Sequence, residues 1–127
     1  MTRLVVTAAV IERGGRYLVT RRQQGVHLEG LWEFPGGKCD PGESLADCLR
    51  RELREELGVE ATIGAEVLST THEYPERSVE LHFIGCTLRG DPSPQLGQQM
   101  RWVAREELRS LEFPPADGEL IELLCES

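Results

Sequence analysis

Three glutamates, Glu52, Glu55 and Glu56, lie at spacings i, i+3 and i+4 in the run Arg51-Glu52-Leu53-Arg54-Glu55-Glu56-Leu57. On a helix these positions share one edge. Like charges at such spacings repel by roughly 0.2–0.5 kcal/mol per pair, so a cation is the natural compensation. Oxygen-only donors suit a hard divalent ion, magnesium first and manganese as its alternative. Taken alone, the same run also reads as an ordinary solvated, charge-laced face.

The elements that must position these carboxylates are legible around them. Ser44 with Asp47 three residues on has the spacing of a capping box, and Gly58 after Leu57 supplies a stop, which predicts a helix between them. Leu49, Leu53, Leu57 and Ala46 make its apolar stripe, predicted to face a sheet. Upstream, residues 35–42 (Pro-Gly-Gly-Lys-Cys-Asp-Pro-Gly) hold three glycines and two prolines, so no regular element is expected to cross them. Leu4–Ile11 and Arg16–Arg22 read as strands of a hairpin through Arg13, Gly14 and Gly15, the first apolar enough for burial on both faces.

Downstream, Val59–Thr71 and Val79–Leu88 read as strands about a Tyr-Pro-Glu-Arg-Ser turn, and Met100–Val103 as a short strand. A helical turn near Arg105–Leu111 and a last helix over Gly118–Cys125, which Asp117 can cap, complete the chain. This order predicts an α/β fold with a mixed sheet packed by helices on its faces, one domain over residues 1–127.

Composition narrows the partners. With 127 residues, 39% hydrophobic and 28% charged, the chain has no apolar stretch near the roughly 18 residues of a membrane span. Fourteen basic against 22 acidic residues give a net charge of −8, which opposes binding to a nucleic-acid backbone. A small anion is accepted only if cations intervene, and residues 37–60 alone hold seven acids against four bases. Cysteines at 39, 48, 86 and 125 show no CxxC spacing and no histidine placed to complete a zinc site. Two disulfides are formally allowed, but the N-terminus has no signal-peptide cleavage site, so the expectation is a cytoplasmic protein with reduced thiols.

Gly37, Glu43 six residues on, Arg51-Glu52-Leu53, Glu55-Glu56, Gly58 and Val59 follow the pattern G-x5-E-x7-R-E-U-x-E-E-x-G-U, with U aliphatic. This resembles the Nudix box at every fixed position, a coincidence expected on the order of once in 10⁸ placements at typical composition. Thr20-Arg21-Arg22, Trp32-Glu33-Phe34-Pro35-Gly36-Gly37-Lys38 and Phe113-Pro114-Pro115-Ala116-Asp117 extend the likeness to the MutT-like branch of the family.

That resemblance implies a Nudix α/β/α sandwich hydrolysing a nucleoside triphosphate to the monophosphate and pyrophosphate. It implies metal ligands at Glu52, Glu55, Glu56 and the carbonyl of Gly36, with Glu52 alternatively the base. Arg51 would orient a carboxylate, and Glu43 would reach metal through water or simply favour the helix N-terminus. Lys38 and Arg22 would meet phosphates. Family matching puts the base pocket at Leu4, Val6, Ala8, Arg22, Phe34, Tyr74, Arg77 and Asp117. Leu4, Val6 and Ala8 share one strand face, and either a pocket floor or core packing explains them; Phe34 and Tyr74 likewise stack on a base or fill the core.

Within the branch, the resemblance implies Asn at the position of Asp117 in the 8-oxo-dGTP enzymes, whereas CTP-type enzymes resemble this chain in carrying Asp. An ionised Asp only accepts hydrogen bonds, so it prefers an exocyclic amine or ring N–H. One departure stands out: six residues before Trp102, where the family commonly has Glu, this chain has Leu96.

The expected activity is magnesium-dependent sanitation of oxidised or modified nucleotides such as 8-oxo-dGTP, by a monomer or weak dimer. The alternatives are a (d)CTP or 5-methyl-CTP pyrophosphohydrolase, a non-catalytic nucleotide sensor, and a nucleoside diphosphate-sugar substrate.

Overall fold

The computed structural model describes residues 2–21 and 30–126. Arg22, assigned above to phosphate and base, lies outside the described residues.

Seven strands form a mixed sheet: β1 (Thr2–Arg13), β2 (Arg16–Arg21), β3 (Trp32–Glu33), β4 (Gly36–Lys38), β5 (Glu60–Glu73), β6 (Arg77–Arg89) and β7 (Gln99–Ala104). Their order is β3-β2-β1-β6-β5, with β4 also paired to β1 and β7 to β2. β1 and β6 run parallel, Leu4 beside Val79 through Ile11 beside Cys86, while the other pairs are antiparallel. A central parallel pair is covered on both faces, which is why the first strand reads as an almost unbroken apolar run.

Each face carries one helix. On the first, α1 (Leu45–Leu57) sets Leu49, Leu53 and Leu57 against Ala9, Ile11, Leu18, Ile84 and Leu88. Cys48 is buried with that stripe, while Ala46 at its edge is only partly covered. Ser44 caps the helix, its hydroxyl accepting from the Asp47 N–H at 3.1 Å, and Gly58 ends it in a left-handed conformation (φ 61°). On the second face, α2 (Gly118–Glu126) packs Leu120, Ile121 and Leu124 over Ala8, Val10, Tyr17, Val19, Phe34, Phe83 and Val103. Alternation along β1 decides the split: Ala8 and Val10 point to α2, Ala9 and Ile11 to α1. No helix among the described residues is long and apolar enough to cross a membrane.

Three expectations need correction. Residues 35–42 are crossed by a regular element after all, because β4 pairs Gly36, Gly37 and Lys38 with Ala8, Thr7 and Val6. Glycines lack the side chains that would hold the two backbones apart: a Cβ on Gly36 would sit on the Thr7 carbonyl oxygen and 2.8 Å from Ala8 Cα. Second, the helical turn after β7 is a 3₁₀ segment, Arg105–Ser110, and Asp117 ends another, Pro115–Asp117. The Asp117 carboxylate makes no capping hydrogen bond among the described residues. Third, the thiols are not all reduced. Cys39 and Cys48 form a disulfide with Cα atoms 5.2 Å apart, leaving Cys86 and Cys125 free. The pair is nine positions apart in sequence, and the packing of α1 over β4 brings them together.

Candidate active site

The site is built on the β4–α1 corner. β4 reaches it across the sheet: Phe34 is packed on the α2 side, whereas Gly37 lies against the Glu52 carboxylate on the α1 side. The Ala9 N–H donates to the Pro35 carbonyl at 2.7 Å and fixes the crossing. A Cβ on Gly37 would stand 2.5 Å from both Cδ and Oε2 of Glu52, so that carboxylate occupies the space which every other residue type would fill.

Arg51 ties the corner together. Its Nε and Nη2 donate to the two oxygens of Glu43 at 2.8 and 2.9 Å, and Nη2 also donates to the Lys38 carbonyl at 3.1 Å. From the same guanidinium, Nη1 donates to Glu52 at 3.0 Å and to Glu55 at 3.3 Å. Glu43 further accepts the Asp40 N–H at 2.9 Å. A bidentate fork of this kind fixes rotamers as well as charge.

The electrostatics separate the two best-placed carboxylates. The Arg51 hydrogen bonds and the Asp40 amide hold the Glu43 carboxyl down at about 2. Burial pushes Glu52 above the usual carboxylate range; Arg51 opposes this, while neighbouring Glu55 and Glu43 add to it. An acid raised by burial and by like charge is one whose charge calls for a further cation.

Glu55 is exposed and Glu56 partly covered, both on the same helical edge. Beyond them the β6–β7 connection docks on the end of α1 through its backbone. The Ser93 N–H donates to Leu57 O and the Gln95 N–H to Glu56 O, each at 2.9 Å, while Gln98 Nε2 donates to Glu56 O at 3.0 Å. These bonds satisfy carbonyls that a helix end leaves open, a role for Gln95 and Gln98 with no sequence signature. Leu96, in that connection, is 57% exposed.

The base-pocket residues are distributed unevenly. Leu4, Val6 and Ala8 share the α2 side of β1, half-covered at Leu4 and Val6 and buried at Ala8. Leu81, beside Val6 on β6, joins this surface and could have been found from the Val79-Leu81-Phe83 alternation. Phe34 is core, edge-on to Phe83 (6.1 Å) and stacked on Phe113 (5.3 Å). Tyr74 and Arg77 close the β5–β6 hairpin, exposed, with the Tyr74 ring 5.2 Å from that of His72. Lys38 is exposed.

Asp117 is buried on the α2 side, 6% exposed. Burial, reinforced by the charge of Glu33, pushes its carboxyl up to about 7. Unfolded, this acid loses its proton near 3.8; folded, it keeps it to about 7, so between these values the native state binds more protons. Stability therefore falls as pH rises through that window, by an amount on the order of 4 kcal/mol. Asp117→Asn is expected to melt higher than the parent at pH 8, the gap narrowing as pH falls toward 4. Thermal melts across pH check this, and a gap independent of pH would show that Asp117 titrates like a solvated acid.

A sequence profile described as NUDIX domain matches residues 6–123. The chain belongs to the Nudix family. Within it the chain is 41% identical over 123 residues to the CTP pyrophosphohydrolase of Escherichia coli K12, covering 96% of this chain and 91% of that one. The 8-oxo-dGTP diphosphatase of Haemophilus influenzae is 36% identical over 126 residues, with 96% and 92% covered. A solved structure of MutT from Aliivibrio salmonicida and Vibrio cholerae superposes with a TM-score of 0.83 at 28% identity, covering 98% of this chain and 97% of that one. The mixed sheet between helices is thus the Nudix fold, and the chain is a Nudix hydrolase. Nudix hydrolases act on nucleotide substrates and generally use divalent metal ions.

Proposed function

We propose that this Nudix hydrolase is a magnesium-dependent nucleoside triphosphate pyrophosphohydrolase of oxidised or modified nucleotides such as 8-oxo-dGTP, releasing the monophosphate and pyrophosphate. The observation that carries the reading is the Glu52 carboxylate, seated on Gly37 and gripped by Arg51 with its acidity weakened by burial.

The donor set fits a hard divalent ion: oxygen atoms only, on one helical edge, with one carboxyl whose charge is under-compensated. Glu52, Glu55, Glu56 and the Gly36 carbonyl would hold magnesium, or manganese in its place. When bound, the ion neutralises the phosphate chain, which otherwise repels an attacking water. Glu52 alternatively takes the proton from that water, a role suited to a carboxylate of raised basicity. Arg51 orients Glu52 and Glu55. Glu43 acts through Arg51, because both its oxygens are already engaged. Lys38 and Arg22 contribute positive charge to the phosphates.

Leu4, Val6 and Leu81 offer an apolar floor for the base, with Tyr74 and Arg77 at its hairpin end and Asp117 reading the edge. Sequence alone makes Asp117 an acceptor; its burial restores a proton near neutral pH, so it can donate as well as accept, as Asn does. That supports the oxidised-guanine reading. The second reading, (d)CTP or 5-methyl-CTP, draws on the carboxylate itself and on the E. coli relative named for CTP.

A panel of nucleotides with magnesium or manganese decides between them by kcat/KM for pyrophosphate release. Binding without release from any nucleotide would favour the sensor instead. Asp117→Asn, a permanent donor and acceptor, is expected to raise the ratio of kcat/KM for 8-oxo-dGTP over CTP about tenfold, or roughly 1.4 kcal/mol. An unchanged ratio removes Asp117 from base reading. The same proposal places the protein in the cytoplasm as a monomer or weak dimer without nucleic-acid polymers as partners.

A further inference from the structure

The segment joining β4 to α1 is tied down at two points. One is the Cys39–Cys48 disulfide. The other is the Arg51 fork, which holds Glu43 at 2.8 and 2.9 Å and reaches Glu52 at 3.0 Å. Between these ties Asp40, Pro41 and Gly42 are exposed, and the tight turn there, Glu43 N–H to Asp40 O at 3.1 Å, packs no apolar side chain into the core. With the disulfide open, the Arg51 fork still grips Glu43, but the covalent tie between the end of β4 and the first turn of α1 is gone, so the segment and the fork can shift together relative to β4.

We propose that Cys39 and Cys48 form a reversible thiol–disulfide switch on the Nudix box. The closed form holds Glu43, Arg51 and Glu52 in register, and the open form loosens them. In a reducing compartment a protein disulfide is ordinarily transient, catalytic or sensing rather than structural. This pair spans the segment that carries Glu43, the partner of Arg51, and ends one turn before Arg51 and Glu52.

The two sulfurs are unequal in the way exchange needs. Cys39 is half-exposed, whereas Cys48 is fully buried in the first turn of α1. An external dithiol therefore attacks at Cys39 Sγ: its thiolate forms a mixed disulfide with Cys39 as the Cys39–Cys48 bond breaks, and Cys48 leaves as a thiolate that takes a proton. The donor's second thiolate then displaces Cys39, so two electrons and two protons pass to the pair while the donor becomes a disulfide.

A hydroxyl shared with the Gly37 carbonyl lies beside the leaving sulfur. The Thr7 hydroxyl, 0% exposed, lies 3.3 Å from Cys48 Sγ, and the helix N-terminus adds its partial positive charge. Reclosure runs the same steps backward against a small disulfide such as oxidised glutathione. Cys86 supplies the contrast: it is buried alone, and its thiol is pushed up to about 12, where little thiolate forms.

The switch is independent of the substrate; its reducing compartment, its Mn²⁺ readout and its effect on turnover rest on the reading proposed above, whereas thiol tagging and hydrogen exchange do not. The full chain, equilibrated in glutathione buffers from reducing to oxidising, is read by thiol mass-tagging, by amide hydrogen exchange over residues 39–48 and by the Mn²⁺ midpoint for binding. The expected result is that Cys39 and Cys48 titrate together and reversibly, that exchange in this segment is faster in the reduced form, and that the Mn²⁺ midpoint rises about tenfold on reduction. Cys39→Ser should match the reduced form in every buffer, while Cys125→Ser should respond like the parent.

Thiols that stay free in the most oxidising buffer overturn the proposal, as does a disulfide whose formation leaves exchange in the segment unchanged. The wild-type comparison decides this even if Cys39→Ser folds poorly. A redox-dependent exchange pattern in a protein that hydrolyses no nucleotide supports the switch and removes the proposed activity.

Discussion

Glu52→Gln is expected to lower kcat for pyrophosphate release by about 10³- to 10⁴-fold, the scale of losing a positioned proton acceptor and a charged donor together. The substitution preserves size and leaves an oxygen for Arg51 Nη1, now 3.0 Å from the carboxylate. What disappears is the negative charge. Because burial already disfavours that charge, the variant should fold at least as stably as its parent at neutral pH, and loss of rate cannot be attributed to loss of structure. Steady-state kinetics at saturating magnesium, paired with thermal melts, measure both quantities. An unchanged kcat would exclude Glu52 as ligand and as base.

Gly37→Ala tests placement instead of charge. Its methyl group would lie 2.5 Å from Glu52 Cδ and Oε2 and 2.7 Å from Oε1, so the carboxylate must move by about 1 Å, a misplacement that costs a reaction on the order of 10²-fold. The atoms in the way belong to a side chain, so the fold should survive. Gly36→Ala makes the opposite test, since its methyl group would meet the Thr7 carbonyl and the Ala8 Cα, backbone atoms of β1. That variant should lose stability along with rate. Gly37→Ala with full kcat/KM would show that the Glu52 position in the free protein is not the one used in turnover.

Much of this architecture is written locally. Ser44, Asp47 and Gly58 mark both ends of α1, and Leu49, Leu53 and Leu57 mark its inner face, because caps and helical periodicity need only neighbours in sequence. Five of the seven strands also read directly, since alternation or an apolar run is a property of each strand by itself. The box was legible as a resemblance because all its fixed residues lie in one short run, Gly37 to Val59.

What sequence reading missed depends on contacts between elements. Gly36–Lys38 looks like a loop from composition, yet pairs as a strand because β1 offers open hydrogen-bonding groups exactly where glycines permit approach. Gln95 and Gln98 look like loop residues until the β6–β7 connection is laid on the end of α1.

The sequence by itself determined most of the elements and the helical edge that carries Glu52, Glu55 and Glu56, since these follow from residue type and short-range spacing, and the resemblance of its motif to the Nudix box pointed to the family. Only the tertiary structure decided three further matters. It showed that Glu43 belongs to Arg51, that Asp117 is buried deeply enough to keep a proton near neutral pH, and that Cys39 and Cys48 meet. The physical reason is common to all three: desolvation, ion pairing and cross-linking depend on distance in space, and a sheet with a helix on each face brings together residues that spacing along the chain cannot relate.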